Sequence, residues 1–370
     1  MNCILAAVLF VSVGFIACPV SGASTTDLVL SRIAGVETGD AYDVWIDTDR
    51  NIAYVSCGYS GVRIFDVSNP ADPVELAHLP SEDIDGHQAY AHQVFVRGNL
   101  LFVGDGRGGL KIIDCTNSSS PEVLCQYTGH YAWAVEVEGD TAFVANGFLG
   151  SGDRLTIVNV TDSTTPEMLK SYTVRGDATD IEVVGNLAFV TTSYAGFTVL
   201  DVSNRSNPVE VGQYTGDSTN VAESGDLEIV GNLAFLTYWG HSFKVLNVSD
   251  VADIRLVAEF TESLDSFSVH IEGERDLAFL CDYEIGLVML NISNPTQPTE
   301  ITRYVDGGKP CRVEVVDDIV YMTDQDNGFV VLEIGESHPF PLGLELVILV
   351  VGVVVILALI VRMKQGRVAG

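Results

Sequence analysis

Positive charge is scarce in this chain. Lys and Arg number 19 against 50 Asp and Glu in 370 residues, a formal charge of −31 at pH 7. Before the last few residues the only lysines are Lys111, Lys170, Lys244 and Lys309. A phosphate-backbone binder needs a basic face, so nucleic acid is excluded as a partner. Recognisable catalytic signatures are also missing. There is no glycine-rich phosphate loop, no Gly-x-Ser-x-Gly elbow, no His-Glu-x-x-His and no Cys-x-x-Cys. Disorder is excluded as well, because apolar residues make up 47% and charged residues only 19%.

Long hydrophobic runs occur only at the ends. Ile4 to Ile16 is almost purely apolar and is followed by Val20-Ser-Gly-Ala. Residues 1–23 therefore read as a secretory signal cut near Gly22 or Ala23. Its start carries no Lys or Arg, which leaves open an uncleaved anchor or lipidation of Cys18. At the other end, residues 342–361 contain one charge, Glu345. Twenty residues at about 1.5 Å each match a hydrocarbon core of about 30 Å. Arg362, Lys364 and Arg367 follow, so the positive-inside rule places the tail 362–370 in the cytoplasm and the rest outside. The expectation is a single-pass cell-membrane protein with a short linker at 336–341.

Between the ends one pattern occurs seven times. Asn51-Ile-Ala-Tyr-Val, Asn99-Leu-Leu-Phe-Val, Asp140-Thr-Ala-Phe-Val, Asn186-Leu-Ala-Phe-Val, Asn232-Leu-Ala-Phe-Leu, Asp276-Leu-Ala-Phe-Leu and Asp318-Ile-Val-Tyr-Met are copies of one motif. About a dozen residues after each comes a second landmark, such as Ile64-Phe-Asp-Val-Ser or Val199-Leu-Asp-Val-Ser. Each repeat divides into four short strands, A to D, with a Gly98-Asn99 type of hairpin signal between A and B. Strands B and C are apolar at consecutive positions, as expected of strands covered on both faces. Four-stranded units at this period predict an all-β, seven-bladed β-propeller over residues 24–335. The seventh repeat has no D strand of its own. Leu28-Val-Leu-Ser-Arg-Ile-Ala-Gly is similar to the other D strands and is expected to close the ring on the last blade.

The Ala-Phe/Tyr-Val triplets and segments such as Val62-Arg-Ile-Phe-Asp-Val-Ser-Asn-Pro resemble the LVIVD-repeat family of extracellular β-propellers. The resemblance spans residues 28–335. It implies the fold and a surface or secreted setting, and no particular reaction. Repeats five and seven depart from it by lacking the proline after strand C.

In a propeller the B–C and D–A loops gather around one mouth of the central channel, here called the upper face, and loops on a rigid scaffold carry function. The aligned residues entering strand A are Asp43, Gln93, Ala134, Asp180, Asp226, Ser268 and Arg312. Asp43, His92, Trp133, Asp180, Asp226 and Arg312 are the candidate ligand-binding residues. Asp43, Asp180 and Asp226 are candidate ligands for Ca2+ or another divalent cation. Asp47-x-Asp49 and Asp324-x-Asp326-Asn327-Gly328 resemble calcium-loop fragments but read as turn residues. Five sequons, at Asn117, Asn159, Asn204, Asn247 and Asn291, are candidate glycosylation sites. Cys281 with Cys311 and Cys115 with Cys125 are candidate disulfides in a compartment that permits them. The functional expectation is a non-enzymatic surface module for protein, glycan or cell-envelope ligands. A metal-dependent propeller lyase or hydrolase, or a structural surface-layer component, is the alternative.

Overall fold

A computed structural model describes residues 28–84, 87–147, 154–193, 196–216, 224–238, 242–261 and 265–337. The expected signal at 1–23, the apolar segment 342–361 and the tail 362–370 lie outside these residues. Among the described residues there is no α-helix, and none long and apolar enough to cross a membrane.

Seven four-stranded sheets follow one another along the chain. Blade one, for instance, is Asp43–Asp47, Ile52–Ser56, Val62–Asp66 and Val74–Leu79. Blade two is Gln93–Arg97, Leu100–Gly104, Leu110–Asp114 and Glu122–Tyr127. The A strands of the others are Ala134–Glu138, Ala178–Val184, Ser224–Val230, Ser266–Glu272 and Pro310–Val316. These A strands form the innermost ring, and that of blade seven packs beside that of blade one. Blade seven is completed by Leu28–Val36, which pairs with Gly328–Glu336. The expected closure by the N-terminal strand is therefore present.

The repeat motif has a simple physical meaning. Seven apolar clusters fill the seven gaps between adjacent blades. The landmark aromatics Tyr54, Phe102, Phe143, Phe189, Phe235, Phe279 and Tyr321 are all buried, each in the gap leading to the next blade. Truncating such a ring to alanine costs about 3–5 kcal/mol in a well-packed core. The Asp-Val-Ser and Asn-Val-Ser landmarks are turn chemistry. The side chains of Asp66, Asp114, Asn159, Asp201, Asn247 and Asn291 each accept the N–H two residues on, which turns the chain from strand C towards D. All five sequons lie at the C–D ends of their blades, opposite the upper mouth, with Asn159, Asn247 and Asn291 closing strand C. Asn117, Asn204 and Asn247 are exposed, and Asn159 and Asn291 are half-buried.

The cysteines expected to pair are placed by the parity of their strands. All five described cysteines are free. Cys115 shares a face with Ile113, in the gap between blades one and two, whereas Cys125 pairs with Ile112 on the opposite face, towards blade three. A bulge between Ile112 and Ile113 sets this parity. Cys281 sits in the core between blades six and seven. Cys311 turns towards the channel mouth, with its sulfur 3.5 Å from the Tyr283 hydroxyl.

Candidate functional site

The strand A residues that enter the channel alternate with residues that pack between blades. Val44, Val94, Val135, Ile181, Leu227, Val269 and Val313 belong to the inter-blade cores. Asp43, Gln93, Ala134, Asp180, Asp226, Ser268 and Arg312 face the lumen, with His92 and Trp133 just above them. The structure thus brings all six candidate binding residues to one throat, a cavity of about 80 Å³.

Within the throat, each long polar side chain joins its blade to another. Asp43 accepts the Val94 N–H (2.8 Å), Gln93 the Val135 N–H (2.6 Å), Asp180 the Leu227 N–H (3.3 Å) and Asp226 the Val269 N–H (3.0 Å). Two further links skip a blade. Gln93 Nε2 donates to Asp180 (3.2 Å), and Arg312 contacts Asp226 (2.6 Å) while its Nε lies 3.4 Å from Asp43. The skipped blades contribute the small residues Ala134 and Ser268 at this level. Burial pushes the Asp43 carboxyl up to about 6 against the pull of Arg312. Asp180 is raised well above the usual carboxylate range by burial and by the charge of Asp226. Arg312 stays protonated because Asp226, Asp43 and Asp180 outweigh the effect of its burial.

The metal expectation falls on the carboxylates of this throat. The guanidinium of Arg312 supplies the positive charge between Asp43 and Asp226, and all three carboxylates already accept backbone N–H groups. Among the described residues no group of three or more His, Cys, Asp or Glu is arranged to hold a metal ion. The Asp324 motif is a turn, as read from sequence, with Oδ1 accepting the N–H groups of Asp326 and Asn327.

One pleat lower is a ring that inspection of a single aligned position missed. Trp45, Phe95, Glu136, Glu182, Glu228, His270 and Glu314 line a chamber of about 350 Å³. Each lies two residues after its throat counterpart, so the period-2 rule was the signal that could have found them. Glu136, Glu182 and Glu228 accept the N–H groups of Val183, Ile229 and Ile271 in the next blade, at 2.7, 2.7 and 2.8 Å. Burial lifts these carboxyls to about 8, 9 and 8, and lifts Glu314 to about 7. It presses His270 down to about 4, helped by Arg312.

Above the throat the channel opens into a bowl of about 520 Å³ walled by Tyr42, Tyr59, Gln88, Tyr90, His92, Arg107, Tyr131, Trp133, Phe267, Tyr283 and Gln325. Rings run continuously across blades one to three. Tyr59 meets Tyr90 at 4.5 Å, Tyr90 meets His92 at 4.5 Å, and His92 stacks on Trp133 at 4.0 Å. On the far side Phe267 stacks on Tyr283 at 5.3 Å, and Gln325 donates to the Tyr283 hydroxyl at 2.6 Å. The sequence explains this collar locally. Tyr90-Ala-His and Tyr131-Ala-Trp each pair their alanine with a loop glycine of the preceding blade, Ala91 with Gly58 and Ala132 with Gly106. At Gly58, whose φ is +52°, a Cβ would meet Tyr90 at 2.9 Å, so only glycine lets the ring lie there. In blade six a bulge between Ser266 and Ser268 places Phe267 and Ser268 together at the channel.

The class defined by this ring and bowl is a seven-bladed propeller with a ligand-sized upper mouth. The LVIVD-repeat profile matches residues 38–78, 88–128, 129–174, 175–216, 268–306 and 307–344, and the chain belongs to that family. Blade five, whose repeat lacks the proline, falls between the matched segments. Among proteins with curated descriptions none matches the sequence. Among solved structures the propeller is similar to the computationally designed Ika8 protein, with 11% identity, 83% of this chain and 87% of that one covered, and a TM-score of 0.58. It is also similar to Chaetomium thermophilum Raptor, with 12% identity, 84% of this chain and 29% of that one covered, and a TM-score of 0.66. A chain of a mitotic checkpoint complex matches at 13% identity, 90% and 99% coverage and a TM-score of 0.62. At these identities the likeness is one of fold alone.

Proposed function

We propose that this chain is a membrane-anchored cell-surface binding module, without an enzymatic step, whose ligand enters the upper mouth of the propeller. The observation that carries the reading is the aromatic bowl of about 520 Å³, closed below by the polar throat. Its volume falls in the range of small-ligand sites, about 300–1,000 Å³. Its rings come from loops held by inter-blade hydrogen bonds, so the site is pre-formed. The apolar segment 342–361 with its basic flank supports anchoring, and the apolar start supports export. Sequons on the opposite face leave the bowl uncovered by any glycan the chain carries.

The test is binding of fluorescently labelled propeller to intact cells or isolated envelopes. Wild type is compared with Trp133→Ala in the bowl and Asn204→Gln on the opposite face. The expected result is saturable binding, lost with Trp133→Ala and kept with Asn204→Gln. Equal binding by all three proteins would refute the bowl as the site.

A further inference from the structure

The chemistry of the bowl narrows its ligand class. Its described wall contains several phenol rings, an indole, a neutral imidazole and two carboxamides, and its single charged side chain is Arg107. No described carboxylate lines it. Asp43 and Asp226 lie one level down, engaged by Arg312, while Asp40 acts on Tyr42 and Tyr90 and Asp265 on Tyr283 from behind the described wall. His92 reports on the collar. Burial alone lowers its pKa to about 3, with no carboxylate offsetting the effect. A hard cation held there would be dehydrated with no described carboxylate lining the cavity to coordinate it. An anion would meet Arg107 but would have to approach a chain of net charge −31.

An uncharged ligand with flat apolar faces and polar edges suits what remains. A pyranose ring has that form: its axial C–H groups make an apolar face, and its hydroxyls project from the rim. Tyr and Trp offer the complement, an apolar body with a polar tip. Resting on the reading of the bowl as the ligand site, we propose that it binds the uncharged terminal sugar of a glycan. The pyranose stacks on the Tyr59–Tyr90 and His92–Trp133 walls, and its hydroxyls reach the phenol and carboxamide edges.

The experiment uses the full chain in phospholipid nanodiscs and saturation-transfer NMR, which reads binding from the ligand side. The probes are methyl glucoside, methyl galactoside, methyl mannoside and N-acetylglucosamine, with tetramethylammonium and glucuronate as the charged comparison. Two variants are used. Tyr59→Ala changes a side chain that is 57% exposed, so it leaves folding intact, and Trp133→Ala removes the central ring. At least one neutral sugar is expected to bind, to persist in 1 M NaCl, and to weaken at least tenfold in both variants. Variant-sensitive binding of tetramethylammonium or glucuronate in place of the neutral sugars would overturn the sugar assignment and leave the bowl standing as a site. Sugar binding indifferent to both variants, or no binding of any probe, would overturn both.

Discussion

Replacing Glu182 by glutamine should make the propeller more stable at pH 8 and leave it nearly unchanged at pH 5. Glu182 projects from the A strand of blade four into the lower chamber, and its Oε2 accepts the Ile229 N–H at 2.7 Å. Burial is the main cause that lifts its carboxyl to about 9, and the charges of Glu136, Glu228 and Asp180 add to it. In the unfolded chain the same group titrates near 4.5. Below that pH both states hold the proton and the site costs nothing. Between the two values the folded protein keeps a proton that the unfolded chain has released. Stability therefore falls as pH rises, by about 1.4 kcal/mol per unit, until the folded pKa is passed. At pH 8 this amounts to an upper bound of about 5 kcal/mol for a fully dry site. Glu182 is half-buried against the channel, and water there reduces the effect, so about 2 kcal/mol is expected. Glutamine keeps an acceptor for Ile229 and carries no charge. The assay is urea unfolding of both proteins at pH 5.5, 6.5, 7.5 and 8. The aspartates of the C–D turns have lowered pKa values, so they lose their contribution only at more acidic pH and do not confound this window. Equal destabilisation of the variant at every pH, or an unchanged pH slope, would show that Glu182 is ionised in the fold and that the reasoning is wrong.

Arg312→Met should destabilise the propeller by about 3–5 kcal/mol, because it strands Asp43 and Asp226 in the throat without their counter-charge. Chemical denaturation reads this, and Asp226→Asn on the same background should recover part of it. Deleting residues 24–36 removes the outer strand of blade seven and bares the edge of Gly328–Glu336. Aggregation or loss of cooperative melting is expected, and a melt like that of the intact chain would count against ring closure. Millimolar calcium should leave the melting temperature within about 1 °C, since preferential binding to the folded state is what would raise it. Non-reducing peptide mapping should recover Cys115 and Cys125 as separate alkylated thiols.

The architecture was readable because it repeats. One aromatic per unit marked every inter-blade gap, and one Asp or Asn marked every C–D turn, so blade number, strand order and the closing strand followed from alignment. The throat was readable for the same reason, since Asp43, Gln93, Asp180, Asp226 and Arg312 occupy one column. Its chemistry was not readable from that column alone. That Asp43 and Asp226 face an arginine depends on which side chains cross the lumen, and the small residues Ala134 and Ser268 leave room for that. The bowl was harder to see, because its rings come from loops outside the repeated motif, and Tyr90 and Tyr131 are placed by pairing of Ala91 and Ala132 with glycines of the preceding blade. The cysteine parity turned on the bulge at Ile112–Ile113, which moves side chains across the sheet without a mark in the hydrophobic pattern.

The closing strand also sets how the propeller bears load. In each of the other blades the last strand in sequence is an outer edge, hydrogen-bonded on one side only. Gly328–Glu336 instead lies between Ile319–Asp324 and Leu28–Val36. A pull on the chain beyond Glu336 therefore reaches the domain through a strand gripped on both flanks, so two ladders share the tension and no edge strand is peeled away alone. A tether at that end would turn the ring's seam into its mechanical clamp, and an outward pull from the opposite mouth would strain the propeller across its full height.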